Sequence, residues 1–368
     1  MTLHLYVARK FLFAFAGLTL LFGLMITLLD MVEQLRRFDA TEIALSGAFE
    51  LALLSMPQLL YRILPLVMIL ATITLFLGLA RTSEMVVTRA AGRSALRALI
   101  APVAVALMIG GVGVAMLNPI VAATMQRYDI RAAELASGTT SVLSISREGL
   151  WLRQGAEDGQ TVIRAEQANA EGTTFFNVTF IHFAPADSAA PGPTRRIEAA
   201  SARLGEGFWT LRDVKVWRLG ERNPEANAET FATLALPSTL TREQIIDGFG
   251  VPASVPIWDL PDYIANLTEA GFSARVHRVW FQMELAMPLF LAGMVMVGAG
   301  FTMRHTRFGR TGVMVLLALL LGFGIYFVRN FAQILGENGQ IPILLAAWAP
   351  PVAAVLLSLG LLLHMEDG

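Results

Sequence analysis

Two adjacent arginines follow the first long apolar segment of this chain. Arg36 and Arg37 stand in the stretch EQLRR, residues 33–37, a few residues beyond an apolar run that ends at residue 29. A guanidinium is a planar fork of donors that matches two oxygens of a phosphate group. At a bilayer surface, this pair could bind the phosphorylated head group of an anionic amphiphile.

Other charges lie at the predicted outer ends of apolar segments, namely Asp30, Glu284 and Arg329. A charge at the edge of a span is commonly an anchor that reaches the interface. Three charges at one membrane face also suit a pathway for an anionic amphiphile, and both interpretations stay open. Apolar walls for acyl chains would come from the first and fifth spans, although lipid-facing packing explains any single residue more simply. The candidate wall residues are Phe15, Phe22, Phe323 and Phe327.

A short basic segment, residues 81–97 (RTSEMVVTRAAGRSALR), separates two apolar runs. In a helix, its arginines recur along one side and apolar side chains lie on another. Ser83 is suited to cap the start of this helix, and Glu84 would face the positive end of its dipole. We predict an amphipathic interfacial helix that a partner pushes; a plain basic loop on the cytoplasmic side is the alternative. The residues assigned to the contact are Arg81, Glu84, Met85, Arg89 and Gly92.

Several kinds of chemistry are excluded or disfavoured by residue types. The chain has no cysteine, which excludes disulfides and thiolate sites. Its two lysines, Lys10 and Lys215, do not follow a glycine-rich phosphate-binding motif, so the chain cannot be its own P-loop ATPase. The five histidines are scattered without metal-ligand spacing. We therefore expect neither an enzyme, nor a metal site, nor a bound cofactor.

Composition places the chain in a membrane. Of its 368 residues 55% are hydrophobic and only 15% are charged, and the mean hydropathy is +0.58. A soluble domain could not bury that much apolar surface. The net charge of −1 disfavours a nucleic-acid-binding protein.

Six apolar runs are long enough to be spans, three on each side of a polar insert. They are residues 11–29, 59–79, 99–117, 283–303, 313–328 and 341–363. Arg9 and Lys10 precede the first run, which predicts cytoplasmic N and C termini. The basic loops 81–97 and 304–310 then also fall on the cytoplasmic side.

The polar insert has the pattern of an all-β domain. Short segments alternate apolar with polar residues and are separated by turn residues, which is typical of a sandwich or jelly roll. Trp151, Trp209 and Trp217 are expected to fill its core. Residues 256–271 form an amphipathic pattern that begins near Asp259.

The predicted fold is thus an α-helical membrane protein with six transmembrane helices (3+3) and an inserted periplasmic all-β, jelly-roll-like domain. The predicted division is 1–125 for the first three spans with the basic helix 81–97, 126–255 for the β domain, 256–280 for an amphipathic connecting helix and 281–368 for the last three spans.

Six motifs, in this order and spacing, resemble the LptF/LptG family, the inner-membrane permeases of the lipopolysaccharide export ABC transporter. The resemblance is stronger to the LptG branch and covers essentially the whole chain. The motifs are EQLRR (33–37), RTSEMVVTRAAG (81–92), REGLWLRQG (147–155), IWDLPDYIANLTEAG (257–271), GFGIYFVRNF (322–331) and QIPILLAAWAP (340–350).

The resemblance implies a set of partners and a substrate. An LptF-like paralogue and this chain would form a heterodimer with a cytoplasmic LptB-like ATPase dimer, which binds the ATP and magnesium. Lipopolysaccharide would enter a cavity between the first and fifth spans of both permeases. The β domains would pass it toward an LptC-like membrane-anchored periplasmic protein and LptA.

The resemblance also gives roles to single residues. Residues 81–97 match the coupling helix, with Glu84 at the acidic position of the S-E-[LM]-V-V stretch that contacts the ATPase. Arg36 and Arg37 match the basic pair at the cavity mouth. Asp30 departs from the pattern, because enterobacterial LptG proteins carry a lysine about one turn before that pair.

Two other function classes remain as alternatives. The first is the permease of another lipid or lipoprotein ABC exporter, although such permeases usually have four spans with the insert after the first. The second is a non-transporting membrane scaffold whose β domain organises a periplasmic complex, which predicts no nucleotide-linked change in the spans.

Overall fold

The computed structural model divides the chain into a helical unit and a β unit. The residues it describes are 2–37, 45–85, 95–136, 144–146, 149–156, 159–169, 173–184, 192–238, 240–241, 245, 251–269, 272–303 and 311–367. The helical unit comprises Met1–Leu135, Ala253–Trp258 and Arg275–Gly368. The β unit comprises Ala136–Pro252 and Asp259–Ala274.

Long helices precede the strands, as their continuous apolar sequence requires. They are α1 (Thr2–Arg37), α2 (Leu45–Arg81), α3 (Ala95–Val112), a π-helical stretch (Gly113–Leu117) and α4 (Asn118–Ala136). Pro57 and Pro65 lie inside α2. A membrane-type helix tolerates such prolines where neighbouring helices re-satisfy the freed backbone groups.

The second half of the chain is again helical. Its helices are α5 (Leu260–Glu269), α6 (Arg275–Leu285), α7 (Met287–Thr302), α8 (Thr311–Glu337) and α9 (Ile343–Asp367). Of these, α5 belongs to the β unit. The α7 helix is almost wholly buried in the helical core, where glycines permit close approach to neighbouring helices. A Cβ on Gly293, for example, would lie 2.9 Å from that of Ala354 on α9.

Five helices in the described part of the chain are long and apolar enough to cross a bilayer: Leu3–Arg37, Leu45–Arg81, Arg97–Ala132, Gly312–Glu337 and Ile343–His364. The pair α6–α7 passes the same test together but is bent by 51°, so it is a sixth span if both parts cross as one. The apolar run 283–303 of the sequence falls on this bent pair.

The β unit holds one antiparallel sheet whose strands, among the described residues, follow one another in chain order. The strands are β1 (Ser144–Ser146), β2 (Gly149–Ala156), β3 (Gly159–Ala168), β4 (Thr174–Phe183), β5 (Pro193–Leu204), β6 (Phe208–Arg218) and β7 (Glu229–Pro237). A jelly roll places strands side by side that are distant in sequence. The described strands instead form a meander, because each one pairs with its neighbour in the chain.

The alternating sequence of the strands buries one face of the sheet. Ile163, Phe180, Ile197 and Val216 are paired in register across β3 to β6, and all four are buried. Leu267 of α5 and Phe272 pack on the same core. Burial raises the pKa of Tyr263, also on α5, to about 12.

Only one of the three tryptophans expected in this core is buried there. Trp209 is 1% exposed and its ring lies 5.3 Å from that of Phe175. Trp151 and Trp217 are half-buried, and each lies under an arginine, Arg164 and Arg196 respectively. Successive positions of a strand point to opposite faces, so Trp151, between the buried Leu150 and Leu152, lies on the face away from the core. In β6 the alternation shifts at Asp213, which has a φ of 55°, so the buried residues are Trp209 and Leu211 before it and Val214 and Val216 after it, and Trp217 lies on the face away from the core.

The domain boundaries differ from those expected. The helix that begins after the π-helical stretch runs on to Ala136, so the β unit starts at Ala136 rather than at 126. Residues 253–258 also belong to the helical unit, and the expected single connecting helix 256–280 is two helices, α5 and α6. Polar residues such as Gln126 and Arg127 continue this helix beyond the apolar run that ends at residue 117.

Candidate functional site

The first candidate region is the C-terminal end of α1. Arg36 and Arg37 are both exposed there. The Nη1 of Arg37 donates to the hydroxyl of Tyr128 on α4 at 3.3 Å. The buried side chain of Gln34 donates to the same hydroxyl at 3.0 Å. The two arginines therefore sit at the open end of a helix that is held by its neighbour, with their guanidinium groups accessible to a phosphate.

Asp30 has partners within the chain. The hydroxyl of Ser55 on α2 donates to its Oδ2 at 2.5 Å, and Gln34 Nε2 donates to the same oxygen at 3.3 Å. The carboxylate thus joins α1 to α2. This contact gives a structural reason for an aspartate at position 30, where the resemblance would place a lysine that binds the lipid head group.

The aromatic candidates fall into two groups on different helices. Phe15 and Phe22 are half-buried on α1, and Phe15 packs against the helical core. Phe323 and Phe327 on α8 are exposed by 54% and 70%. Arg329, two residues after Phe327 on α8, is half-buried, with its guanidinium 5.2 Å from the ring centre of Phe290 on α7. No cluster of described residues contains both phenylalanine groups.

Two of the apolar helices are largely uncovered by the rest of this chain. Within the most apolar window of each helix, 11% of the α1 residues and 17% of the α8 residues are buried, against 61% for α2. Such apolar faces must be covered by lipid or by another protein. Both phenylalanine groups lie on these two helices.

The second candidate region follows the end of α2. Arg81 is exposed, and Thr82 and Ser83 form a turn in which Ser83 has a φ of 59°. This left-handed conformation differs from the extended one of an N-cap residue. The prediction that Ser83 caps a helix is therefore wrong. Met85 is buried against the helical core. Arg89 and Gly92 lie outside the described residues, while Arg97 is exposed on α3.

Glu84 is held by an ion pair with α1. The Nζ of Lys10 lies 2.9 Å from one carboxylate oxygen and 3.1 Å from the other. Thr82 Oγ1 donates to Glu84 Oε1 at 2.9 Å. The hydrogen bond from Lys10 is the main cause that lowers the pKa of Glu84, and the bond from Thr82 adds to it. The acid is therefore ionised and fixed in position, with its side chain 32% exposed.

A cavity of about 260 Å³ lies beside Glu84. Its walls come from the first turns of α1, the end of α2 and the start of α3. They are formed by Leu3, Tyr6, Val7, Leu79, Thr82, Glu84, Met85 and Ala98. A mainly apolar recess with one fixed carboxylate suits a partner surface that carries an apolar group next to a cation.

Sequence reasoning missed several residues that matter at these sites. The sequence gives no sign that Lys10 binds an acid 74 residues away. It also gives no sign that Tyr128 accepts a hydrogen bond from Arg37 and another from Gln34. Tyr61 and Asn118 bind Glu284, and the sequence gives no sign of either contact. Pairings of this kind leave no signal in one sequence, because the partners share neither spacing nor periodicity.

Apolar helices on both sides of an inserted β sheet define a multi-pass membrane protein. The family model described as "Lipopolysaccharide export system permease LptF/LptG" matches residues 5–364. The chain therefore belongs to this family of lipopolysaccharide export permeases of the inner membrane.

Two relatives bear the same name, lipopolysaccharide export system permease protein LptG. The protein from Haemophilus influenzae is 25% identical over 100% of this chain and 99% of its own length. The protein from Escherichia coli strain K12 is 23% identical over 92% of this chain and 91% of its own length. Both alignments extend over the helical and the β parts of the chain.

Proposed function

We propose that this permease is the LptG-type half of the exporter, that it works with an LptF-like paralogue and that an LptB-like ATPase dimer drives it. The family match over residues 5–364 carries this proposal. The chain binds no ATP or magnesium of its own in this scheme, since the ATPase holds both. Lipopolysaccharide is the substrate, and an LptC-like protein and LptA receive it.

The proposed topology has three spans, the β domain, and three further spans, of which the bent pair α6–α7 is one. The N and C termini lie in the cytoplasm and the β domain lies in the periplasm. The positive-inside rule supports this orientation, because Arg9, Lys10 and the basic segments 81–97 and 304–310 then share the cytoplasmic side. The described strands are one sheet of the proposed jelly-roll-like β domain.

The open faces of α1 and α8 support a lipid cavity shared with the paralogue. These helices are the first and fifth spans, whose counterparts enclose the cavity in the family. Phe15, Phe22, Phe323 and Phe327 then contact acyl chains, and Arg36 and Arg37 bind phosphates at the mouth. Asp30 and Arg329 play no direct part in our scheme, because each is engaged by other helices of the chain.

The segment after α2 receives the push of the ATPase. Glu84 is fixed by Lys10, so a force on the acid acts on α1 as well as on the ends of α2 and α3. ATP closes the ATPase dimer, the coupling segment moves as a lever, and the spans pivot until the cavity collapses and expels its lipid. In this scheme α1 forms one wall of the cavity and also contacts the coupling segment, through the ion pair of Lys10 with Glu84.

Charge reversal at Glu84 tests the proposed contact with the ATPase. Glu84→Lys should remove the ATPase from the permease in mild-detergent co-purification, because a partner cation then meets a lysine. Lys10→Ala leaves the acid in place and should keep the ATPase bound. Equal ATPase recovery with Glu84→Lys and with the native chain would contradict the contact.

The lipid site is tested with Arg36→Glu combined with Arg37→Glu. Crosslinking of lipopolysaccharide to the permease should fall several-fold, while basal ATP hydrolysis persists. Arg203→Glu with Arg212→Glu, two exposed residues of the sheet, makes the same change in charge and is the control. Normal crosslinking in the first variant would remove both arginines from the site. Purification with neither lipopolysaccharide nor an ATPase would favour a scaffold.

A further inference from the structure

Glu284 is a buried carboxylate at a break in a span. It is 1% exposed, and it lies two residues before Ala286, where α6 and α7 meet at 51°. A charge buried among apolar helices is costly unless other groups compensate it. Its presence there calls for partners, and three surrounding helices supply them.

Two neutral donors bind the carboxylate. The hydroxyl of Tyr61 on α2 donates to its Oε2, and Asn118 Nδ2, at the start of α4, donates to the same oxygen at 3.2 Å. Both donors are buried as well. The break in the span is thereby tied to α2 and α4 through one oxygen atom.

Asn118 extends the network to the segment that precedes α5. Its Oδ1 accepts a hydrogen bond from the backbone N–H of Ile257 at 2.9 Å. The neighbouring indole N–H of Trp258 donates to the carbonyl of Ala115 at 3.1 Å. Ala115 lies in the π-helical stretch, where helical hydrogen bonding is irregular and a carbonyl is available to an outside donor. Two hydrogen bonds thus hold residues 257–258, which lead directly into α5.

Arg329 supplies the positive charge. Its guanidinium stacks over the ring of Phe290, one turn after the break, and is attracted by the carboxylate of Glu284. The arginine therefore links α8 to α6, through Glu284, and to α7, through Phe290. Arg329 therefore differs from a residue that binds a lipid head group, because the carboxylate that balances its charge belongs to the same chain.

We propose that Glu284 is a positioning residue for transport. Together with Tyr61, Asn118 and Arg329 it forms a clasp that keeps the broken span in register with α2, α4 and α8 and transmits its position to residues 257–258. The clasp itself is independent of the proposed function; its use in moving lipid rests on that function. Movement of α6–α7 cannot then occur without a change at the segment that enters the β unit.

Hydrogen exchange measured by mass spectrometry tests the clasp in the purified full chain, with neither ATPase nor lipid substrate. Tyr61→Phe removes one donor without changing the shape of the ring. Peptides that cover residues 253–258 should exchange about tenfold faster, as expected for one lost hydrogen bond to a charged group. Tyr326→Phe, which removes a hydroxyl bonded to the Arg62 carbonyl of α2, is the control and should leave them unchanged. Unchanged exchange in Tyr61→Phe would overturn the clasp.

A double-mutant cycle tests the two charges. Glu284→Gln leaves the guanidinium of Arg329 without its counterpart, and Arg329→Gln leaves the buried carboxylate of Glu284 without its counterpart, so each should speed exchange at residues 253–258. The combined variant is neutral and keeps the acceptor for Tyr61, so it should exchange more slowly than either single variant. Additive effects would show that the two charges act separately and would overturn the pairing.

Lipid release from vesicles that contain the assembled exporter tests the role in transport. Tyr61→Phe should slow release several-fold while ATPase recovery and lipid crosslinking stay normal, because the coupling segment and Arg36 are untouched. Faster exchange with normal release would retain the clasp and overturn its role in transport. Loss of release in the native chain would instead contradict the proposed function.

Discussion

At the scale of single residues, the partner of a charge decides what the charge can do. Arg36 remains exposed at the end of α1, whereas Asp30 accepts a hydrogen bond from Ser55 and so holds two helices together. Glu84 and Lys10 similarly satisfy each other. An exposed ion pair of this kind adds little stability, about 0–1 kcal/mol, so its value lies in fixing the position of the acid.

The contact of Asp30 predicts a loss of stability without a loss of lipid binding. Asp30→Ala should lower the free energy of unfolding by about 1 kcal/mol, because Ser55 and Gln34 lose a charged acceptor. Asp30→Asn keeps an acceptor and should have a smaller effect. Thermal unfolding in detergent and lipopolysaccharide crosslinking measure the two properties. Glu33→Ala, which changes an exposed acid nearby, is the control, and weaker crosslinking at unchanged stability would return Asp30 to the lipid site.

At the scale of elements, α3 and the start of α7 touch backbone to backbone. A Cβ on Gly110 would lie 2.5 Å from the Cα of Pro288, which follows the break between α6 and α7. Pro288 cannot move as the tip of a flexible side chain could. The sequence contains three glycines in this region, Gly110, Gly111 and Gly113, but only Gly110 makes this approach.

Alanine at two adjacent positions tests this contact. Gly110→Ala should push α3 and α7 apart and destabilise the helical unit by about 1–3 kcal/mol, as overpacking does. Gly111→Ala is the matched control, because no described atom lies within 4 Å of a Cβ there and alanine favours the helix. The midpoint of thermal unfolding should fall for the first variant only. Equal midpoints would mean that the two helices can separate without cost.

At the scale of the whole molecule, the apolar faces of α1 and α8 are left unburied by the rest of the chain and must be covered by lipid or by another protein. Helices that face only lipid would be equally apolar, so exposure alone does not choose a partner. The family match makes the paralogue the proposed occupant of these faces. In that assembly the cavity wall, the coupling segment and the clasp all belong to the helical unit.

Orientation is the prediction that belongs to this scale. The natural chain has no cysteine, so a single introduced cysteine reports on its own surroundings. Arg89→Cys and Arg307→Cys should react with a membrane-impermeant maleimide only after the inner membrane of spheroplasts is opened. Arg222→Cys, at an exposed turn of the β unit, should react in intact spheroplasts. The reverse pattern would invert the topology and remove the exporter mechanism.

The sequence determined the elements of this protein by period and length. Long apolar runs predicted the helices, and alternation predicted the strands that bury Ile163, Phe180 and Ile197 on one face. The order of motifs determined the family. These features are local, because hydrophobic burial and backbone hydrogen bonding act along each element.

Only the tertiary structure decided which residues meet. It joined Lys10 to Glu84, Asp30 to Ser55 and Glu284 to Tyr61, and it carried α4 on to Ala136. Each pairing depends on the rotation and depth at which two helices pack, and many rotations satisfy the same apolar pattern in one sequence. The buried charges select one of them, since a carboxylate away from water must find its donors.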